Sequence, residues 1–432
     1  VAKLSSDGTR LEPLSRKGSE QVWGLWPRNK EQRYALELLL DDRIKLVSLV
    51  GNAGVGKAQP LDAKIMTPDG WKLMGDMHPG SLVMTPDGIS AKVLDVFPQG
   101  KKDIYKVTFT DGSSTECCKD HLWHTKTCLD RDAKKAGSVK SLQEIMESLR
   151  YGNRQSRNHS IPITQPLNFA EKELPLDPYL LGCLIGDGAM SVGHLSLSTS
   201  DPFILDECLP MLKAVNCYFG ASRDYDHSIC CNHPAGIPPR TFIRTDLDSG
   251  EQKQYLSLRD LEKDGFTTAV YRAVDRNPPH YRGYHWQAIR SKKHSVHPIK
   301  NTLIELGLWG CRSETKFIPE QFLFASISQR ISLLQGLMDT DGTIAKRGHC
   351  SFTSVSQKLA SDVATLVQTL GGTAIVRSRQ TSYTYKGEKR LGQLSYRVSL
   401  CLPNDLIPFR LPRKVERLRP HTKYFPRRYV DT

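Results

Sequence analysis

A chain of 432 residues can bury more than one sizeable core, so roughly two to four domains are expected. Its 60 Lys and Arg outnumber 46 Asp and Glu, and the formal charge of +14 favours a polyanionic partner. With no apolar run of about 18 residues and no hydrophobic segment near its start, the sequence predicts a soluble, cytoplasmic chain with no membrane partner.

Residues 1–25 are polar and without period. Apolar spacing over 28–40, RNKEQRYALELLL, predicts an amphipathic helix, and Asp41, Asp42 and Arg43 separate it from a strand at 44–50. Gly51, Gly54, Gly56 and Lys57 then complete the GxxxxGK of a phosphate-binding loop, whose backbone N–H groups cradle a nucleotide's phosphates. A hydroxyl residue should follow to hold Mg²⁺ and start a helix. The chain instead continues Ala58, Gln59, Pro60, so the loop is cut where its magnesium ligand belongs, and 57 residues with no second strand-helix unit cannot make a complete nucleotide-binding domain.

From about residue 60 the pattern changes to short strands and tight turns. The peptide TPDG occurs at 67–70 and again at 85–88, Val93–Phe97 and Tyr105–Phe109 are strand candidates, and Asp111-Gly112 makes a further turn. The distinctive segment GSSTECCKDHLWHT, 112–125, comes next, then a short helix at 142–149, a polar stretch at 150–160 and a return to strand near Ile161. Eleven cysteines, with adjacent pairs at Cys117/Cys118 and Cys230/Cys231 and no CxxC ladder, read as free thiols in a reducing compartment.

A helix at 178–188, PYLLGCLIGDG, is echoed at 331–342 by ISLLQGLMDTDG. Gly182 and Gly336 permit close helix packing, and Asp187 and Asp341 stand at the corresponding C-terminal tips. Each tip is followed by a β-rich stretch, 195–200 or 349–355, and then by a helix such as 357–370. Two halves joined through these helices set two carboxylates side by side, an arrangement suited to divalent metals; the bland reading is that both acids only cap helix ends. Arg377, Arg379, Arg397, Lys292 and Lys293 are candidates to follow a DNA backbone, or are ordinary solvated charge. Tyr271, Tyr281 and Tyr284, with Arg272 and Arg282 nearby as contacts, are equally readable as part of that interface or as packing within the domain, and the tail from Ile407 is basic and proline-broken.

In this order the motifs carry a resemblance. WGLWPRNKEQRYALELLLDDRIKLVSLVGNAGVGK resembles the N-terminal region of PhoH-like ATPases; AQPLDAKIMTPDGWKLMGDMHPGSLVMTPDG and CKDHLWHT resemble the first and the histidine-containing blocks of an intein; LIGDG and LMDTDG resemble the paired motif of a LAGLIDADG homing endonuclease. The implied fold class is a mainly β Hint splicing module with an inserted α/β LAGLIDADG endonuclease of pseudo-two-fold form, preceded by a partial α/β P-loop extein. The implied boundaries are 1–57 for the N-extein, 58–168 for the N-terminal part of the Hint module, 169–406 for the endonuclease and 407–432 for a basic return segment into the Hint module.

The resemblance also implies roles. An intein usually begins with Cys or Ser, which attacks the preceding carbonyl in an N–S or N–O acyl shift; here that position is Ala58, which has no nucleophile. A Cys-to-Ala block of splicing is the simpler account, and a natural Ala-type intein attacked directly at its downstream junction is the other. His121 matches the histidine that polarises or protonates the scissile junction, while the Thr usual three residues earlier is Cys118, a weak donor. Asp187 and Asp341 match the endonuclease acids that hold Mg²⁺ at scissile phosphates of double-stranded DNA, and Lys316, in KFIP, matches a segment of structural role. ATP belongs to the spliced host only. The family's last two strands, terminal Asn and C-extein are expected in a second polypeptide or a removed part of the chain. Two other classes remain open: a P-loop ATPase with a regulatory insertion, which Ala58-Gln59-Pro60 disfavours, and a noncatalytic DNA-binding scaffold, which DNA binding without metal-dependent cutting would mark.

Overall fold

The computed structural model describes residues 2–4, 11–13, 59–190, 195–231, 241–255, 261, 263–266, 280–281, 284–289, 297–385, 388–419 and 428–430. The phosphate loop with Gly51, Gly54, Gly56 and Lys57, the junction residue Ala58, and the helix and strand expected at 28–50 lie outside these residues, as do Tyr271, Arg272, Arg282, Lys292 and Lys293. The chain divides into two units, Val1–Lys57 and Ala58–Thr432. In the first, Ala2–Leu4 pairs antiparallel with Leu11–Pro13.

The second unit begins with a β-rich region of short antiparallel pairs. Lys64–Thr67 turns into Gly70–Leu73 through the first TPDG peptide, where Thr67 Oγ1 donates to Gly70 O at 2.7 Å and Gly70 takes φ +118°, a value that favours glycine. The second TPDG peptide joins Leu82–Met84 to Ser90–Lys92, with Gly88 N donating to Thr85 O at 3.0 Å. No strand forms over 93–97, contrary to expectation. The Asp95 carboxylate accepts from Val96 N at 2.8 Å, a local bond that competes with strand pairing, and Pro98 follows. Ile104–Thr108 pairs with Ser114–Cys118, one residue earlier than the sequence suggests, and Leu122–Thr125 pairs with Ser138–Ser141.

The helix Leu142–Glu147 starts at a capping box of Ser141 and Glu144 and buries Leu142 and Ile145 beside Val107, Phe109, Cys117 and Val430. Arg428–Tyr429 pairs with Ser160–Ile161, so the tail is stitched back into this region. Even so, Leu94, Phe97 and Val139 remain 91%, 72% and 62% exposed.

An α/β cluster follows, built twice over. The first half runs α1 (Pro178–Asp187), β1 (Gly188–Ala189), β2 (Ser196–Ser198), α2 (Pro202–Ala214), β3 (Cys217–Arg223), β4 (Asp226–Cys231). After it come an inserted sheet, β5 (Thr241–Asp246), β6 (Gln252–Tyr255), β7 (His280–Tyr281) and β8 (Tyr284–Ile289), and then α3 (Pro298–Glu305). The second half runs α4 (Ile327–Thr340), β9 (Gly342–Ile344), β10 (Cys350–Ser354), α5 (Gln357–Thr369), β11 (Thr373–Tyr385), β12 (Glu388–Cys401), α6 (Pro412–Val415).

The sheets have the same strand order, β1-β2-β4-β3 and β9-β10-β12-β11. Their shared core takes Leu180, Leu181 and Leu184 from α1, Leu333, Leu334 and Leu337 from α4, and Phe352 and Val398 from the second sheet. Phe409 and Leu411 belong to it too. The inserted sheet, ordered β6-β5-β8-β7, has its own core of Phe242, Tyr255, Leu261, Phe266 and Trp286.

Candidate catalytic cleft

Helices α1 and α4 are both started firmly. Asp177 caps α1 by accepting from Tyr179 N at 2.8 Å with Pro178 at the first helical position, and Ser326 with Gln329 forms a capping box on α4. Their far ends meet because glycines lie at the crossing: a Cβ built on Gly182 comes within 3.0 Å of Gly336 Cα and 2.9 Å of Leu337 N. Backbone therefore packs on backbone, and the residues after the crossing, Asp187 and Asp341, arrive together at one cleft of about 270 Å³ that also takes in Lys316, Ser313, Thr353 and Ser395.

Two lysines complete the arrangement with matching geometry. Lys316 Nζ donates to Gly186 O and Gly188 O, both at 2.9 Å, around the end of α1. Lys414 Nζ donates to Met338 O, Asp339 O and Gly342 O at 2.7, 2.8 and 2.7 Å around the end of α4. All three Lys414 N–H groups are thus committed to carbonyls, whereas Lys316 uses two of three. The sequence marked Lys316 as structural and did not single out Lys414, which looks like one more cation in a basic tail. Only the repeated architecture marks the pair.

Burial pushes the Asp341 carboxyl up to about 6, the neighbouring Asp187 charge pushes the same way, and Lys316 and Lys414 oppose both. Asp187 is raised as well, chiefly by burial. Burial lowers both ammonium groups, Lys414 to about 8, while the surrounding carboxylates hold them up. Two close acids that resist joint ionisation are the donor chemistry that a divalent cation relieves. Among the described residues no group of three or more His, Cys, Asp and Glu stands ready as a cage. The pair fits a hydrated ion such as Mg²⁺, which binds through one or two carboxylates and takes other ligands from water and phosphate.

Asp339, on α4 two residues before Asp341, has a different task. It accepts from Tyr179 Oη at 2.9 Å, Arg410 N at 3.0 Å and Leu411 N at 3.2 Å, anchoring the start of α6 and so the Lys414 side chain. Arg377, Arg379 and Arg397 are exposed on the sheet face that brings Thr353 and Ser395 to the cleft, with Arg397 donating to Ser351 Oγ at 3.0 Å.

The second candidate constellation lies in the β-rich region. His121 is half-buried, its N–H donates to Cys118 O at 3.1 Å to close a turn, and its ring meets Trp123 edge-on at 5.4 Å. Cys118 is buried, and the Asp120 carboxylate sits 3.6 Å from Lys102. Ala58, the residue on which His121 would act, is outside the described residues. A second histidine there escaped notice in the sequence: His159 is fully buried, with Nε2 2.9 Å from Ser148 Oγ and Nδ1 3.3 Å from Thr125 Oγ1.

Known proteins are similar to separate stretches of the chain. A LAGLIDADG-like domain family matches residues 328–399. The replicative DNA helicase DnaB of Mycobacterium intracellulare is 23% identical over 384 residues, 85% of this chain and 51% of the relative. Protein PhoH2 of Bacillus subtilis strain 168 is 55% identical over 38 residues, 9% of each. The chain therefore spans about half the length of the first relative and about a tenth of the second. The solved Msm DnaB1 intein splicing domain bound with zinc is 27% identical, covering 24% of this chain and 67% of that one, with a TM-score of 0.18. The chain thus has a stretch at 328–399 that matches a LAGLIDADG-like domain family and a short stretch similar to PhoH2.

Proposed function

We propose that this chain is a protein-splicing precursor, blocked at its first junction, that carries a metal-dependent, site-specific DNA endonuclease. The observation that carries the endonuclease reading is the convergence of Asp187 and Asp341, flanked by Lys316 and Lys414, at the crossing of two equivalent halves. A bound Mg²⁺ would lower the charge cost of attack on a scissile phosphate. The chain's own residues supply the rest. The two carboxylates must both be ionised to hold the ion; Lys414 acts through its charge alone, since its donors are filled; Lys316 keeps one N–H for a phosphate oxygen or a water. The exposed arginines of the second sheet are placed to follow the backbone of double-stranded DNA.

In the splicing module, our reading gives His121 the task of polarising the Lys57-Ala58 carbonyl, with Cys118 in the place of a stronger hydroxyl donor, and leaves Ala58 unable to attack. Exposed Leu94, Phe97 and Val139 support a splicing module completed by a further segment, carrying the terminal Asn and C-extein. The domain limits are 1–57, 58–168, an endonuclease from 169, and a return to the splicing module that includes Arg428–Val430. ATP binding by Gly51, Gly54, Gly56 and Lys57 waits on the spliced host.

The deciding experiment incubates the intact chain with Mg²⁺ and duplex DNA carrying candidate targets. Double-strand cutting that disappears in Asp187→Asn and in Asp341→Asn is expected; cutting that survives either change removes that acid from the mechanism. For the junction, Ala58→Cys with the remaining splicing segment supplied should break the Lys57-Ala58 bond, passing the acyl group of residues 1–57 to the C-extein or, with a thiol added, to that thiol, read by intact mass; a junction that stays intact would overturn the block.

A further inference from the structure

The two halves of the α/β cluster are equal in topology and unequal in reach. The second half ends in the long ribbon β11–β12, with strands of 13 and 14 residues, whereas β3 and β4 of the first half have only 7 and 6. At about 3.4 Å per residue the first ribbon extends roughly half as far. The halves differ again beyond these ribbons. Between β12 and α6 the chain spends 10 residues, 402–411, but between β4 and α3 it spends 66, 232–297, including the inserted sheet. Both ends of this insertion are rooted at one place, because His297, the N-cap of α3, donates from Nε2 to Ile229 O on β4 at 3.0 Å while its Nδ1 accepts from Lys300 N.

The inserted sheet has two unlike faces. One carries Phe242, Tyr255 and Trp286 into a private core, with the Arg244 guanidinium over the Tyr284 ring at 4.3 Å and Asp264 held by Lys253 and Tyr255. Alternation puts Ile243, Thr245, Gln252, Gln254, His285 and Gln287 on the other face, with Ile243 opposite both Gln254 and Gln287 across the strands. The three glutamines are exposed, and no carboxylate stands on this face among the described residues. The segment 232–296 as a whole has eleven Lys and Arg against seven Asp and Glu.

We infer that the inserted sheet is a second duplex-DNA contact surface, which extends the short first half through the neutral face of Gln252, Gln254, Gln287 and Thr245. Glutamine amides donate and accept at one tip, the pattern that reads an adenine edge in the major groove, and a two-stranded or wider β surface fits that groove. A face free of carboxylates on a basic segment suits a polyanion, and its neutral side chains contribute readout more than charge neutralisation. The inference rests on the DNA-cutting reading for its partner but not on the acids of the cleft.

The test uses the intact chain and a duplex selected by that chain from a randomised pool in Ca²⁺. The triple variant Gln252→Ala, Gln254→Ala, Gln287→Ala should weaken binding about tenfold or more. It should also shorten the hydroxyl-radical footprint on one flank only and leave the salt dependence of binding near that of the unaltered chain. Gln254→Glu, a single change at an exposed site, should erase the same flank, which guards against misfolding of the triple variant. An unchanged footprint in both overturns the inference. If no duplex is selected at all, the inference and the DNA reading fall together; if Asp187→Asn leaves cutting intact, only the catalytic reading falls and the flank still decides this one.

Discussion

Gly182 and Gly336 occupy each other's crossing point: a Cβ on either would come within 3.0 Å of the other's Cα and would overlap a carbonyl of the opposite helix, Leu333 O for Gly182 and Tyr179 O for Gly336. These obstacles are backbone and cannot swing away. Gly336→Ala should therefore cost about 2–3 kcal/mol or more and lower the thermal midpoint, with cleavage falling as the acids separate. Gly220→Ala offers the contrast, since its added Cβ first meets Cys230 Sγ at 2.7 Å, the tip of a side chain that can turn, and no backbone atom closer than 3.7 Å. Thermal melts of both variants check this; equal losses would show that the backbone crossing is not what limits packing.

The same crossing makes Asp341 a stability cost. Its folded-state carboxyl sits at about 6, above its ordinary 3.8, so its contribution to stability is present below about pH 4 and lost as pH rises through about 6. A shift of that size corresponds to about 3 kcal/mol at neutral pH without divalent ions. Asp341→Asn should then melt higher than the unaltered chain at pH 7.5 in EDTA, while losing cutting by about a thousandfold. Added Mg²⁺ should raise the midpoint of the unaltered chain only. A lower melting point for Asp341→Asn in EDTA would contradict the assigned repulsion.

Cleavage should follow a bell-shaped pH profile. The acidic limb belongs to the coupled acids, at or below about pH 6, and should move down as Mg²⁺ is raised because proton and cation compete for the same oxygens. The basic limb, near pH 8, marks loss of the Lys414 proton and its charge. Single-turnover rates across pH 5 to 9.5, roughly the span of these groups, read both limbs. A flat profile would take Lys414 out of the reaction.

How much of this was legible differs by residue. The acids and the glycines were, because both sit in a local pattern repeated with one spacing, Gly182 to Asp187 in the first half and Gly336 to Asp341 in the second. Lys414 was not, because its partners are the carbonyls of Met338, Asp339 and Gly342, some 75 residues away, and side chain to carbonyl bonds leave no trace in composition. The expected strand at 93–97 failed for the opposite reason: apolar residues favour a strand locally, but pairing needs a partner, and Asp95 and Pro98 turn the backbone to local bonds. The inserted sheet was seen only as scattered tyrosines and arginines, since its strands are short and its core closes between segments far apart in sequence.

Arg330 is the least legible residue and makes the last prediction. The sequence does not single it out, since it precedes the helix expected at 331–342; in the structure it is fully buried. Its Nε donates to Ala325 O at 2.8 Å, one terminal nitrogen to Thr369 O at 2.8 Å and the other to Leu167 O, and its guanidinium stacks over Phe169 at 4.7 Å. Among the described residues no carboxylate is bonded to it, and burial lowers its pKa to about 10 while leaving it charged at neutral pH. One side chain thus ties α4 to the end of α5 and to the connector from the β-rich region. Arg330→Met removes the charge and leaves three carbonyls short of donors, a loss of about 3–5 kcal/mol. Arg330→Lys keeps the charge but lacks the planar fork that reaches three acceptors, and should recover only part of that loss. Because Leu167 is one of the three, limited proteolysis should open first within 162–168 in both variants. Cleavage instead confined to the β-rich hairpins, with unchanged melting, would show that the connector is held by other contacts.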